Sequence, residues 1–373
     1  MKLDRRTSLM ILAALPGFGP VRIRKLDQTV PGGADQLLRM DETRRRHWCP
    51  PGMAGELARW RVHFDPDRVG EELERLDADF VTFEDADYPE CLQPFSDRPV
   101  GLYRRRAGLV LSGRQVAVVG TRQPSAYGRK VARDFAAGLA GRGFTIVSGL
   151  AEGIDTEAHR AALECGGRTL AVLGGGLNRC YPSSNKPLLE IIKKSGGVWT
   201  EFPLWRSADR RSFPQRNRIV AALSEAVVVV ESGSAGGSLI TARMASEQGR
   251  SVYVVPGRID SPESMGCHAL IRDGAQLVTS VEEILQDLDY LPAGLSPAHR
   301  QPATSGRPRP GPEPELSGPQ ARVWEFLGEQ RQAHPDSLAN SLEMPVARIN
   351  ALVLEMELAG LLCRRLDGCY ERA

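Results

Sequence analysis

Five arginines, Arg206, Arg210, Arg211, Arg216 and Arg218, stand within 14 residues of the chain against a single acid, Asp209. Guanidinium groups offer a planar fork of donors that suits phosphate oxygens. The stretch is either a solvated charged loop or a phosphate-contacting segment. Its end, Phe213-Pro-Gln-Arg-Asn-Arg218, mixes apolar and basic side chains at the entrance to a helix predicted over 219–223, which favours contact. Five such contacts with one single strand predict a salt slope on the order of −3.5.

Further anion-binding capacity lies in four Gly/Ser-rich segments, 120–128, 148–155, 174–186 and 231–242. Each follows a short apolar run and opens a helical pattern, so backbone N–H groups and helix N-termini are left to face an anion. A tight turn explains the glycines of any one segment; it explains four together poorly. None reads G-x-G-x-x-G, G-x-x-x-x-G-K-[ST] is absent, and Arg122 stands where a dinucleotide site wants glycine. NAD is therefore disfavoured, and no cofactor is expected. Asp155 and His159, at i and i+4, could form a metal or acid–base pair, but no third ligand or nucleophile lies nearby. Asp155 is expected to support a helix terminus and His159 to sit in the core, leaving no catalytic or metal-ligating set. Near the start, residues 12–26 read as a helix–hairpin–helix. Its Gly17-Phe-Gly19 turn either presents N–H groups to a phosphate, with Arg22, Arg24 and Lys25 behind, or is purely structural.

The elements that must position these residues are legible as short apolar runs at 116–119, 145–147, 169–173, 198–200, 226–230, 252–255 and 276–278, with helical patterns between. Runs apolar throughout, without alternation, fit a parallel sheet covered on both faces. Right-handed crossovers then make it a doubly wound, Rossmann-like α/β sheet, whose ligands bind outside the carboxyl ends of the strands. Runs at 80–83 and 100–103 add edge strands before the first crossover. Residues 1–78 read as a small helical domain, with helices at 9–15, 21–26, 34–40, 54–59 and 68–76, and 79–290 as the sheet domain. A linker at 291–316 holds seven prolines. Residues 317–373 read as helices at 319–330, 335–342 and 345–359, then a hairpin through Asp367-Gly368, a winged helix. Its third helix buries Val346, Ile349, Val353 and Met356. That helix sets Arg348 against Glu355 and Glu357, with Arg364 and Arg365 in the wing, so protein contact is at least as fitting a role as base reading.

Composition narrows the classes. The 373 residues carry a net charge of +2, which excludes a generally basic nucleic-acid coat. Of 48 basic residues 42 are Arg, a bias that follows either from phosphate and ion-pair use or from GC-rich coding. Seven cysteines include no C-x-x-C pair, so free thiols in a reducing cytoplasm are expected. No apolar run approaches membrane-spanning length, and the first residues lack a signal-peptide pattern.

Six ordered motifs carry a resemblance: Val116-Ala-Val-Val-Gly-Thr-Arg122, Ile146-Val-Ser-Gly-Leu-Ala-Glu-Gly-Ile-Asp-Thr-Glu-Ala-His159, Tyr181-Pro-Ser-Ser-Asn185, Phe213-Pro-Gln-Arg-Asn-Arg218, Gly237-Ser-Leu-Ile-Thr-Ala242 and Pro256-Gly257. Together they resemble the DNA-processing protein A (Smf) family, the recombination mediators of bacterial natural transformation. The resemblance spans roughly residues 80–285, and the flanking helical and winged-helix segments fit the family layout. It implies a cytoplasmic, dimeric, non-enzymatic protein that binds incoming single-stranded DNA, works beside single-strand-binding protein and helps load the RecA recombinase. Carried over by position, Arg122 is the DNA-contacting arginine, and Gly120, Thr121, Ser148 and Gly149 line its pocket. Lys186, Arg216 and Arg218 hold phosphates, with Tyr127, Tyr181 and Phe213 as stacking candidates. His268, Ile271 and Leu277 are the implied self-association contacts. Two positions depart from the pattern. Ser183 replaces a basic residue, which Lys186 is expected to stand in for, and Gly236 replaces a serine, which implies a looser loop. The rival readings are a nucleotide or nucleoside-monophosphate hydrolase built on the same glycine-rich edge, with Glu231 as its acid, and a transcription factor working through the tail.

Overall fold

The computed structural model describes residues 3–105, 114–288, 316, 318–330, 332–342, 344–359, 361–364 and 369–372. The chain divides into two compact units, Met1–Pro292 and Ala293–Ala373.

In the first unit, strands β1 (Ala78–Thr82), β2 (Gly101–Arg105), β3 (Gln115–Val119), β4 (Thr145–Ser148), β5 (Arg168–Val172), β6 (Gly197–Thr200), β7 (Ala226–Val229), β8 (Ser251–Val254) and β9 (Gln276–Leu277) form one sheet, ordered β1-β2-β6-β5-β4-β3-β7-β8-β9. Pairing is parallel from β6 to β9. The hairpin β1–β2 is antiparallel and joins β6 with Tyr103 opposite Thr200. These two strands thus attach at the far side of the sheet, not beside the first parallel strand. The interior strands are the apolar runs read from the sequence, whereas both residues of the edge strand β9 are exposed.

Alternate residues of a strand face opposite ways, and the two faces carry different helices. Val116 and Val118 lie under α7 (Ala126–Gly141) and α8 (Ile154–Glu164), which bring Phe135, Leu139 and Ala158. Ala117 and Val119 lie under α10 (Ser212–Leu223), α11 (Gly237–Glu247) and α12 (Met265–Arg272), which bring Val220, Leu239 and Leu270. Helix α13 (Val281–Asp287) joins the first group through Ile284 and Leu285. The N-terminal helices α1 (Arg5–Ala14), α2 (Pro20–Thr29), α3 (Glu42–Trp48), α4 (Pro51–Ala58), α5 (Trp60–His63) and α6 (Pro66–Arg75) precede the sheet. They do not form a core of their own. Leu9, Leu12, Leu57 and Trp60 share one with Phe80, Tyr103 and Val198 of the sheet and with Leu188 and Ile192 of α9 (Lys186–Ser195). Helix α3 was not foreseen, because it buries no residue and so has no apolar period to read.

The second unit contains α14 (Pro319–Gln330), α15 (Pro335–Ser341), α16 (Val346–Leu358) and a small sheet of β10 (Gln332–Ala333), β11 (Leu362–Arg364) and β12 (Tyr370–Arg372), ordered β10-β12-β11. This is a winged helix with one strand more than expected. Its core takes Ile349, Leu352, Val353 and Met356 from α16; Val346, expected inside, is 43% exposed. Arg365 and the Asp367-Gly368 turn lie outside the described residues, as does the proposed linker apart from its last residue.

His159 occupies the core as expected, but only half satisfied. Thr169 spends its hydroxyl proton on the Ile146 carbonyl (2.7 Å), so its oxygen accepts from Nδ1–H of His159 at 2.6 Å. Nε2 is buried without a partner. Burial, reinforced by Arg216, pushes this imidazole down to about 3. The unfolded chain, with a histidine near 6.5, binds more protons than the folded one below that pH. Stability from this site is therefore complete above about pH 6.5 and falls by about 1.4 kcal/mol per pH unit as pH drops toward 3. Urea unfolding at pH 7 and pH 5 should show His159→Gln losing about 2 kcal/mol less on acidification than the parent; equal losses would remove His159 as the source.

Candidate functional site

From β3 the chain crosses through α7 to β4, and from β7 it crosses the other way through α11 to β8. Their carboxyl ends therefore part at a topological switch point, where such sheets bind ligands. A cavity of about 350 Å³ opens there, lined by Gly120, Thr121, Arg122, Gly149, Asp155 and Arg216 together with the start of α11.

The first loop is closed from within. Thr121 N donates to the Glu231 carbonyl at 2.6 Å, and the Glu231 carboxylate accepts from Ser125 N (2.9 Å) and Ser125 Oγ (2.5 Å). Glu231 is 3% exposed. Its carboxylate thus fills the α7 N-terminus, the place where a nucleotide phosphate sits in a dinucleotide fold. Gly128 makes room for it, since a Cβ there would lie 2.1 Å from Glu231 Oε2.

The loop after β4 is held from two sides. Asp155 accepts from Gly149 N (3.0 Å) and Ala151 N (3.3 Å), and Asn185 Nδ2 donates to the carbonyls of Leu150 (3.0 Å) and Ala151 (3.2 Å). Between them Leu150 sits at φ 57°, a left-handed conformation costly for a leucine. The benefit is a slot. Gly149 lies so close to Arg216 that a Cβ would be 2.0 Å from Nη1.

Arg216, 4% exposed, fills that slot. Its Nη1 donates to the Val172 carbonyl at 2.5 Å and its Nε to Asn217 Oδ1 at 3.1 Å. Burial lowers its pKa to about 10, with Asp155 opposing and Arg122 adding to the shift, so it stays charged at neutral pH. Burial pushes Asp155 up, and the Arg216 charge pulls it back. At the cavity mouth the exposed Arg122 stacks over Phe213, 4.9 Å from the ring centroid, and Phe213 lies 5.6 Å from the ring of Tyr181, itself 54% exposed. A guanidinium and two rings at the lip of a cationic hollow can hold a phosphate and stack a planar base.

The structure brings Gly120, Thr121, Arg122, Gly149 and Arg216 to one cavity, with Tyr181 and Phe213 at its lip. It sends other expected residues elsewhere. The Ser148 hydroxyl is buried and donates to the Val118 carbonyl at 2.7 Å. Arg218 donates to the Asp97 carbonyl at 2.6 Å and pairs with Glu201, in a separate hollow beside the Gly17–Gly19 turn. Helical geometry is the reason: the arginine-rich segment is already helix from Ser212, not a loop entering at 219, and residues two apart on a helix point about 200° apart. Arg206 stacks on Phe202 (4.4 Å), whereas Arg210 and Arg211 are exposed. Lys186 opens onto a different cavity. The Tyr127 hydroxyl donates to the Pro256 carbonyl at 3.1 Å. In the helix–hairpin–helix, Arg22 folds back onto the Gly17 carbonyl (2.6 Å) and Arg24 onto that of Phe95 (3.3 Å). His268 faces the Gly257 carbonyl at 3.0 Å, Ile271 is partly buried and Leu277 is 46% exposed on β9. Gly236 does not leave a gap: a Cβ there would lie 2.3 Å from Ser232 Oγ, which accepts from Ser238 Oγ at 2.8 Å. No cluster able to hold a metal occurs among the described residues.

Sequence reasoning missed the internal roles of Asn185 and Glu231. An acid ending an otherwise apolar strand was the available signal for Glu231; Asn185 gave none.

The family model described as DNA recombination-mediator protein A matches residues 79–289, and that of the DprA winged helix domain matches 307–368. Protein Smf of Escherichia coli is 39% identical over 290 residues, 76% of this chain and 75% of that one. Protein Smf of Synechocystis is 33% identical over 339 residues, 84% of each. The crystal structure of DNA processing protein A from Streptococcus pneumoniae matches with TM-score 0.67 and 34% identity, over 76% of this chain and 98% of that one. That of Helicobacter pylori, described for its unique single-stranded DNA binding mode, gives 0.51 and 29%, over 57% and 97%.

The Glu231 bonds to Ser125 are charge-assisted and buried. Glu231→Ala should cost about 2–4 kcal/mol in urea unfolding. A cost near zero would show that the Glu231 bonds to Ser125 do not hold this loop.

Proposed function

The chain belongs to the DNA recombination-mediator protein A family, and from that premise we propose that it binds single-stranded DNA without sequence preference and without chemical turnover. The observation that carries the reading is the Arg122–Phe213–Tyr181 stack at the lip of the hollow occupied by the Arg216 guanidinium. Arg122 contacts phosphate, the rings stack bases, and Arg216 with Gly120, Thr121 and Gly149 supplies the positive floor. As a mediator in transformation the protein protects the incoming strand beside single-strand-binding protein and hands it to the RecA recombinase in the cytoplasm. Residues 1–78, 79–290 and 317–373 act as helical, strand-binding and winged-helix parts about the 291–316 linker. A homodimer formed through His268, Ile271 and Leu277 lengthens the track on the strand and adds avidity without new contacts per subunit. The hydrolase reading loses its acid, because Glu231 is engaged at α7.

Poly-dT binding followed by fluorescence anisotropy at two salt concentrations tests this. Arg122→Ala should lower the salt slope by about 0.7, and Phe213→Ala should weaken binding by about 1–3 kcal/mol, fivefold or more. Arg218→Ala should leave the slope unchanged. A parent protein that ignores poly-dT, or that hydrolyses nucleoside monophosphates, would overturn the reading. For the dimer, Leu277→Asp should sediment as a monomer; a persistent dimer would locate the contact elsewhere.

A further inference from the structure

A second cavity, of about 460 Å³, lies between α6, the end of β2 and the start of α9. It is lined by Arg75, Arg105, Arg179, Lys186 and Lys193 against one carboxylate, Glu190. Two of these cations are already matched. Arg75 Nε donates to Glu72 at 2.9 Å, and the Lys193 ammonium donates to Glu190. Among the described residues Arg105, Arg179 and Lys186 have no carboxylate partner, although Arg179 reaches the Trp205 carbonyl at 3.3 Å. Arg105 is the informative one. The alternation of β2 sends it to the same face as Tyr103, into the space beside α9, and its Nε is buried without any hydrogen-bond partner. Lys193 is also sequestered, its side chain only 14% exposed. Burial lowers the pKa of both. A protein does not gain by burying a cation with an idle donor; an anion with several acceptor oxygens removes that cost.

We propose that this cavity is a phosphate-binding site, with Arg105 as its floor and Arg179, Lys186 and Lys193 at its sides. Its position suggests the source of the phosphate. Cys180 and Ser183 line this cavity, while Tyr181 and Pro182 line the lip where Arg122 and Phe213 stack. The two hollows share one turn, since residues 180 and 183 line one and residues 181 and 182 the other. A strand leaving the stack over Tyr181 delivers its next phosphates here, a form of the proposal that rests on the single-strand reading above. A free phosphorylated small molecule offers the same chemistry.

The test uses the full chain and three probes: oligo-dT of about six nucleotides, which covers the stack alone, oligo-dT of about fifteen, and inorganic pyrophosphate by titration calorimetry. Arg105→Gln with Lys193→Gln should weaken the longer strand about tenfold, lower its salt slope by about 1.4 and leave the shorter one unchanged. The exposed Arg179→Ala, which does not disturb the interior, should lower the longer strand's slope by about 0.7. Loss of pyrophosphate binding with strand binding intact upholds the site and assigns it to a small ligand. A parent that binds pyrophosphate here but no DNA refutes the single-strand reading and keeps the site. The proposal is overturned if the variants fold, as thermal melting would show, yet change neither the longer strand nor pyrophosphate, or if they weaken both strand lengths equally.

Discussion

A guanidinium withdrawn from water at the edge of a parallel sheet must be held by the protein itself, and much of this site follows from that requirement. Arg216 meets it with the Val172 carbonyl, Asn217 and the charge of Asp155. Asp155 in turn is fixed by the amides of Gly149 and Ala151, which obliges Leu150 into a left-handed turn that Asn185 then clamps. The partners belong to three elements, Val172 to β5, Asp155 to α8 and Asn217 to α10 itself. One buried charge therefore ties together the ends of β4 and β5 and the starts of α8 and α10, and the cavity's floor is rigid before any ligand arrives.

The arginine bias of the composition fits phosphate contact, ion pairing or GC-rich coding alike, and the structure shows several arginines used in internal ion pairs. Arg5 bridges Asp27, Asp35 and Glu84, joining the helical segment to the loop after β1. Arg104 pairs with Asp79 across β1 and β2 and lies over Trp199, and Arg218 pairs with Glu201. Arginine suits such work because its fork satisfies several acceptors at once and stacks on aromatic faces. The net charge of +2 is the outcome. A near-neutral protein can still keep small positive hollows, because local charge depends on position rather than on the total.

What could be read from the sequence divides along physical lines. Strands such as Val116–Val119 are apolar on both sides because both faces are covered, and that pattern survives in one dimension. So does the position of the Gly120, Ser148 and Glu231 loops, since strand ends fix it. Helix phase does not survive when a segment is taken for a loop, which is how Arg216 and Arg218 came to be placed together although the helix sends them apart. Lys186 and Ser148 lie away from the Arg122 cavity for a related reason: neighbours of a motif residue can face the opposite side of the turn or strand. The residues proposed for a dimer lie on an edge strand and a short helix, where only a partner's surface could give the sequence a pattern.

The proposed lack of sequence preference fits the same architecture. Reading bases requires donors and acceptors aimed at base edges. At this cavity Asp155 and Asn185 are turned inward on backbone groups, and the carboxylate of Glu231 caps α7. At the lip stand a guanidinium and two aromatic rings, while glycine-rich backbone and the side chains of Thr121, Asn217, Ser238 and Thr241 line the cavity behind them. A guanidinium addresses the phosphate that every nucleotide carries, and a ring addresses the face that every base presents. A duplex hides those faces in its stack, so under the proposed function the lip that Tyr181 and Phe213 form with Arg122 selects an unpaired strand by geometry.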